Sequence, residues 1–264
     1  MTASAGSSEP FVLVEIDGPV RVLTLNEPAR RNPLGVPMRR ELRAALEAAH
    51  ADDACRVLVI TGAGPAFCSG ADLASMPRGD RADARDRLHL MADLISLLVE
   101  GPLPVVAAVD GAAVGAGTSL AAACDYVVVG RSATFGAIFG RIGLVADSGL
   151  HWTLPRRVGP GPARRMLLRG KLLGAEEARG LGLVDELVGD GASLAAARDV
   201  AADLATAAPL ALAATKRLLA NPPATLAETL HAEECAQVEL FETADFAEGN
   251  DAFFAKRRPV FHGR

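Results

Sequence analysis

The stretch Arg56-Val57-Leu58-Val59-Ile60-Thr61-Gly62-Ala63-Gly64-Pro65-Ala66-Phe67-Cys68-Ser69-Gly70-Ala71-Asp72-Leu73 passes from a mostly β-branched run into a loop of small residues. An unbroken apolar run is the mark of a strand buried on both faces, and such strands belong to parallel sheets. The same pattern recurs downstream, where Pro104 to Val109 leads into Asp110-Gly111-Ala112-Ala113-Val114-Gly115-Ala116-Gly117-Thr118-Ser119-Leu120. Helical spacing separates these strands: Met38, Leu42, Ala45, Leu46 and Ala49 within Val36 to His50, and a second helix over Ala82 to Val99. Strands alternating with helices predict parallel pairing through crossover connections. At the start, Phe11 to Ile16 and Val20 to Asn26 flank Asp17-Gly18-Pro19, which has hairpin-turn chemistry. A short helix to Cys124 and a strand over Tyr126 to Val129 follow the second loop, and from Ser148 the pattern is almost all helical, with one strand near Leu183 to Val188. The fold class is α/β.

The 264 residues are 50% hydrophobic and 22% charged, enough for a self-sufficient core, and no linker composition divides them. A net charge of −5 argues against a nucleic-acid binder. Cys55, Cys68, Cys124 and Cys235 form no C-x-x-C pair and no metal-ligand spacing, so reduced cytosolic thiols and no metal are expected. Residues 1–10, MTASAGSSEP, lack the basic start and apolar run of a signal peptide and are read as a disordered tail. The most apolar region, Val105 to Val129, has only 14 residues between Asp110 and Asp125, where a membrane span needs about 20. A cytoplasmic location with no membrane contact is the expectation.

Each glycine-rich loop puts small residues between a buried strand and a helix start, where unpaired N–H groups and a partial positive charge favour anions. Neither loop is a phosphate-binding P-loop, which needs Gly-Lys-Ser/Thr, nor a dinucleotide fingerprint in the first β-α turn. Taken in order with four further motifs, however, the loops resemble the enoyl-CoA hydratase/isomerase (crotonase) family. The motifs are Asn26-Glu27-Pro28-Ala29-Arg30-Arg31-Asn32-Pro33-Leu34, Phe135-Gly136, Gly180-Leu181-Gly182-Leu183-Val184-Asp185, and Asp245-Phe246-Ala247-Glu248-Gly249. The resemblance implies a crotonase-like spiral of β-β-α units with the acyl-CoA site over residues 11–190, and a helical C-terminal trimerisation region over 191–264. It also implies an acyl-CoA thioester as substrate, with coenzyme A entering as part of it and no covalent cofactor, and a homotrimer or a hexamer built as a dimer of trimers. The C-terminal apolar positions, among them Leu204, Leu210, Leu219, Leu226, Phe253 and Phe254, exceed what a small peripheral bundle buries alone.

Carried over residue by residue, the family's oxyanion hole falls on the backbone N–H groups of Ala71 and Ala116. Two fixed donors would stabilise the enolate oxygen formed when a proton leaves the carbon beside a thioester. Many relatives have Gly where Ala116 stands. Arg30, Arg31 and Lys256 are expected near CoA phosphates, and Asp72, Leu73 and Phe139 along the substrate. Hydratases carry two Glu residues at positions that here are Ser119 and Phe139, neither of which is an acid. Adding water calls for one group to deprotonate it and another to deliver a proton, so hydration is expected to be disabled. What remains is Asp147, in Ile142-Gly143-Leu144-Val145-Ala146-Asp147-Ser148-Gly149, which resembles the segment of the 1,2-epoxyphenylacetyl-CoA isomerase branch. One carboxylate suffices to shuttle one proton, so an acyl-CoA isomerase is the leading reading.

Several alternatives stay open. Asp147 also reads as the cap of a helix running to Arg157. Enoyl-CoA hydratase is the nearest competing activity, and a hydrolase in which Asp147 attacks carbon is a third. A non-catalytic RNA- or CoA-binding relative is the reading from another class, although the longest basic run is only Lys256-Arg257-Arg258. His151, His89, Cys68 and Ser69 are weaker catalytic candidates, with no Gly-x-Ser-x-Gly elbow to support a nucleophile.

Overall fold

The computed structural model describes residues 9–77 and 79–264, so most of the proposed N-terminal tail, residues 1–8, lies outside the described residues. A hairpin opens the fold: β1 (Val12–Asp17) pairs antiparallel with β2 (Val20–Leu25). Three parallel strands continue the sheet, β3 (Val57–Gly62), β4 (Val105–Val109) and β6 (Tyr126–Gly130), and β9 (Glu186–Val188) closes its far edge. The order is β1-β2-β3-β4-β6-β9.

Period-two alternation divides the central strands between two cores. Leu58 and Ile60 of β3, Val105, Ala107 and Val109 of β4, and Val127 and Val129 of β6 face the main core. That core is completed by Met38, Leu42 and Leu46 of α1 (Val36–His50) and by Met91, Leu94 and Leu98 of α2 (Arg81–Glu100). Val57, Val59, Val106, Ala108 and Val128 point the other way, against Ala197 and Ala201 of α7 (Ser193–Leu204). Burial on both faces is why these strands read as continuous apolar runs rather than alternating ones.

A second, small sheet crosses the strand ends. It contains β5 (Ala112–Val114), β7 (Thr134–Gly136) and β8 (Leu173–Gly174), in the order β5-β7-β8. The turn after β3 joins this layer through single bridges, Ala66 with Gly111 and Cys68 with Ala113, and Leu34 bridges Ala71. Each unit is therefore a long strand, a short crossing strand and a helix: β4, β5 and α3 (Ala116–Ala122), then β6, β7 and α4 (Leu150–Val158). This is the expected spiral of β-β-α units.

The C-terminal elements differ in burial. After α5 (Pro160–Arg169) and α6 (Ala175–Gly180), α7 lies over the sheet. By contrast α8 (Pro209–Ala220), α9 (Leu226–Phe241) and α10 (Ala244–Ala255) leave Leu219, Leu226, Leu230, Phe241, Phe253 and Phe254 exposed. Lys216 of α8 is buried, donating to the Leu103 carbonyl at 2.7 Å and to the Asp125 carboxylate at 2.6 Å. Asp125 is thus the ionic anchor of α8 as well as an acceptor for the Val105 N–H.

Beyond α10 the last residues fold back, and buried Asp245 accepts the N–H groups of His262 and Gly263. The Glu248 carboxylate takes two hydrogen bonds from Arg257 and one from the Val260 N–H, which together lower its pKa from 4.5 to about 2. A carboxylate whose pKa falls on folding contributes stability above its unfolded pKa and loses it as pH falls through the folded one. Protection of the Val260 amide from exchange should therefore hold above pH 4.5 and decline toward about 2, whereas Glu248→Gln should lose it already at neutral pH.

Asn32 joins the first unit to the second. It is fully buried in a left-handed conformation at φ 54°, which Asn adopts more readily than most residues. Its amide nitrogen donates among the carbonyls of Ala63, Ala66 and Phe67, and its side-chain oxygen accepts the Glu27 N–H at 2.8 Å. Asn32→Ala should cost about 3–5 kcal/mol, from several unsatisfied buried groups and the left-handed backbone. Calorimetry should show Tm lower by about 10 °C.

Candidate active site

The two small-residue loops meet edge to edge. The Cys68 N–H donates to the Ala112 carbonyl at 2.9 Å and the Val114 N–H to the Cys68 carbonyl at 3.0 Å, while the Leu34 N–H reaches the Gly70 carbonyl at 2.7 Å. Gly70 is required at the crossing: its φ is +99°, and a methyl there would stand 2.7 Å from the Val114 carbonyl oxygen. The same methyl would lie 3.5 Å from the Ala116 nitrogen, a measure of how closely the loops approach. Ala71 follows Gly70, and Ala116 is the first residue of α3, where N–H groups have no intrahelical partner. Among the described residues, neither the Ala71 N–H nor the Ala116 N–H has a backbone acceptor. The weave thus brings two free main-chain donors to one end of the parallel strands.

Asp147 stands beside this edge. A 3-10 turn over Ile138–Ile142 ends at Gly143 (φ 76°), and Ser148 and Gly149 then adopt φ 54° and 69° before α4 begins at Leu150. Two successive left-handed residues turn the chain sharply, at a cost of about 1–2 kcal/mol for the non-glycine one. Strain of this kind concentrates at functional sites. The half-buried Asp147 carboxylate accepts from the Ser148 hydroxyl at 2.8 Å, and the Ser119 hydroxyl lies 3.3 Å from the Asp147 carbonyl oxygen. Ser119 is fully buried in α3, so the position where hydratases carry an acid is in contact with the Asp147 segment.

The capping reading of Asp147 is corrected here. Gly149 occupies the cap position with no side-chain hydrogen bond, and Asp147 contributes only its carbonyl, to the Leu150 N–H. The left-handed pair at Ser148 and Gly149 gives the chain its path into α4 without a side-chain cap.

Other sequence candidates fall into place individually. Arg30 is half-exposed and bridges Glu27 at 2.8 Å and Asp72 at 2.5 Å, and its hydrogen bond holds the Asp72 carboxyl below the usual carboxylate range. Asp72 is therefore an ion-pair partner beside the loop, not a side-chain cap. Leu73 is exposed one residue further on, and Ile142, Leu144 and Val145 are exposed just before Asp147. Phe139 is 6% exposed and packs into the main core, so it presents little surface. Lys256 ends α10, exposed and without an ion pair among the described residues. The Cys68 thiol is fully buried, and burial pushes it up to about 12, which removes it as a nucleophile at neutral pH. Ser69 donates to the Arg30 carbonyl. His89 and His151 are exposed, and the neighbouring Trp152 has Arg156 stacked 3.1 Å from its ring centre.

Arg39 was not singled out by sequence. Its Nε donates to the Leu34 carbonyl at 2.7 Å and its Nη1 to the Arg87 carbonyl at 3.0 Å, so one guanidinium ties α1 to α2 and to the residue that bridges Ala71. The available signal was positional: Arg39 sits between Met38 and Leu42 on the buried stripe of α1, where a long cation is out of place unless it has work to do.

Residues 15–264 match the enoyl-CoA hydratase/isomerase family. The chain is 44% identical over 260 residues to a Rhodobacter capsulatus protein named "Probable enoyl-CoA hydratase", covering 95% of this chain and 97% of that one. It is 36% identical over 259 residues to the 1,2-epoxyphenylacetyl-CoA isomerase of Escherichia coli, covering 96% and 99%. Among solved structures, an enoyl-CoA hydratase from Bacillus anthracis matches with a TM-score of 0.91 at 30% identity, over 96% of this chain and 100% of that one. Fold, loop weave and near full-length similarity agree, and the chain belongs to the enoyl-CoA hydratase/isomerase family, with its crotonase-like fold.

Proposed function

We propose that this protein is an acyl-CoA isomerase that works through a thioester enolate and a single proton carrier. The thioester carbonyl oxygen accepts from the Ala71 and Ala116 N–H groups. Asp147 removes the proton from the carbon beside the carbonyl, the electron pair moves onto the oxygen, and the two donors stabilise the charge where it develops. Returned to the γ-carbon of a 3-enoyl chain, the same proton completes a double-bond shift with no other reactant consumed. The observation that carries this reading is that the Asp147 carboxylate caps no helix and, among the described residues, accepts a hydrogen bond only from the Ser148 hydroxyl, which leaves it free for chemistry.

Around this centre, exposed Leu73, Ile142, Leu144 and Val145 offer an apolar rim for the acyl chain, and Phe139 backs it from the core. Asp72 holds Arg30 at the rim. Half-exposed ion pairs of this kind are worth about 1 kcal/mol or less, so a CoA phosphate can displace the pairing and take Arg30 bidentately. Lys256 is assigned to a second phosphate contact. No covalent cofactor is used; coenzyme A arrives with the substrate.

Hydration is the second reading, favoured by the hydratase name of the Rhodobacter capsulatus relative. Against it stand Ser119 and Phe139 at the two acid positions, one fully buried in α3 and the other packed in the core. Crotonyl-CoA and a 3-enoyl-CoA, assayed side by side, separate the two. The 3-enoyl-CoA should be isomerised while crotonyl-CoA is hydrated far more slowly, and Asp147→Asn should lower isomerisation by about 10² with the fold intact. Hydration as fast as isomerisation in the parent chain would reverse the assignment.

The exposed apolar face of α8, α9 and α10 is assigned to contacts between copies of the chain in a homotrimer, or in a hexamer made of two. Light scattering at micromolar concentration should report three or six chains, and a monomer would refute it.

A further inference from the structure

We propose that Ser148 is a positioning residue for Asp147: its hydroxyl, donating to Asp147 Oδ1 at 2.8 Å, fixes the plane of the carboxylate and leaves Oδ2 as the oxygen that takes and returns the substrate proton. This assignment rests on the reading of Asp147 as the proton carrier, given above.

The main chain of Asp147 is held without its side chain. Its carbonyl accepts the Leu150 N–H at 3.1 Å and lies 3.3 Å from the Ser119 hydroxyl of α3. Those contacts leave rotation about the side-chain bonds free. The last torsion of an aspartate is broad and roughly two-fold, so an untethered carboxylate presents either oxygen to a substrate in turn. A donor fixed at one oxygen removes that freedom. Ser148 is that donor, and no other hydrogen bond or ion pair reaches the Asp147 carboxylate among the described residues.

Other aspartates show what a structural carboxylate does in this fold. Asp110 accepts the Gly191 N–H and the Ser193 hydroxyl on separate oxygens, and Asp245 does the same with the His262 and Gly263 N–H groups. Each ties together segments remote in the chain. The bond to Asp147 instead joins sequence neighbours and ties no element to another, so its effect is on the carboxylate itself. Oδ2 has no donor, yet it is not sealed in protein: among the described residues, the one unpartnered side-chain polar atom closed off from solvent is His50 Nε2. Ser148 also sits at φ 54°, where glycine would stand without steric cost. The side chain that incurs this cost makes a single hydrogen bond among the described residues, to Asp147.

In the reaction, Oδ2 takes a proton from the α-carbon of a 3-enoyl thioester as the electron pair moves onto the carbonyl oxygen. The same proton then passes from Oδ2 to the γ-carbon, the double bond comes to lie between the α- and β-carbons, and the carboxylate is restored. With Oδ1 held, the protonated oxygen stays turned toward the substrate and exchanges little with water while the enolate lasts.

The test is isomerisation of a 3-enoyl-CoA by the full chain in heavy water, reading kcat, KM and, by NMR, the deuterium at the γ-carbon of the product. Ser148→Gly removes the hydroxyl and leaves the left-handed turn unstrained, so it should unfold close to the parent temperature. It should lower kcat about tenfold, with KM within about twofold of the parent, as expected for a catalytic group that is present but loosely aimed. Deuterium at the γ-carbon should rise about twofold or more, because a rotating carboxylate turns its proton to water. Ser148→Ala should behave alike in kcat and deuterium content. In an Asp147→Asn background, Ser148→Gly should cost nothing further, because the amide carries no proton for the hydroxyl to aim. A parent product already fully deuterated, an unchanged kcat in Ser148→Gly, or a loss carried equally into the Asp147→Asn background overturns the assignment of Ser148 alone. Full activity of Asp147→Asn, or a parent chain that does not isomerise, overturns the proton-carrier reading and Ser148 with it.

Discussion

The side chain of Asn32 holds the first spiral turn to the second. Four polar partners converge on one fully buried amide, and they belong to the two segments whose approach forms the edge of the site. Without it, the segment ending at Leu34 would keep the Ser69 hydrogen bonds to the Arg30 and Arg31 carbonyls, the Arg30–Asp72 pair and the bridge from Leu34 to Ala71, but would lose its tie to the carbonyls of Ala63, Ala66 and Phe67. The crossing sheet extends the same device: Cys68 pairs with Ala112 and Val114, and the Gly115 N–H with the Gly136 carbonyl at 2.8 Å. Each turn of the chain is tied to the next through its main chain, so the position of any one loop is set by its two neighbours.

That arrangement separates two kinds of precision. Main-chain donors are fixed by the weave and depend on small residues such as Gly70 that let backbones touch. The carboxylate comes from a different layer, a strained turn leading into α4, and reaches the same edge through the Ser119 contact and the bracing on α2. Arg39 links the two layers, because it donates both to the carbonyl of Leu34, which bridges Ala71, and to the Arg87 carbonyl of α2, the helix that Gly149 meets at Ile95.

Much of this was legible in the sequence. The apolar spacing of Val36 to His50 coincides with α1, and the uninterrupted run after Arg56 is β3, because a doubly buried strand leaves no polar positions to confuse the pattern. The loops were legible for the same reason: small residues in register betray close backbone contact. What could not be read was any feature set by packing between distant segments. Asp-Ser-Gly before a helix spells a cap as readily as a left-handed turn, and only the backbone angles of Ser148 and Gly149 decide between them. Arg39 lies 48 residues from Arg87 in the chain, so the hydrogen bond by which it ties α1 to α2 leaves no local trace. Phe139 was expected along the substrate because of its motif position; that the 3-10 turn packs it into the main core was not legible there.

The free donor on Ala116 has a consequence for how such a site is inherited. A main-chain N–H is present whatever side chain it carries, so ordinary substitution at that position leaves the hydrogen-bonding capacity in place. Proline is the exception, since its ring nitrogen carries no hydrogen, and Ala116 occupies the first position of α3, where a helix tolerates proline best. The donor half of such a site is therefore written in the course of the chain rather than in its side chains. Acids at a few neighbouring positions are free to be exchanged, while the main-chain donor passes unchanged from one sequence to another.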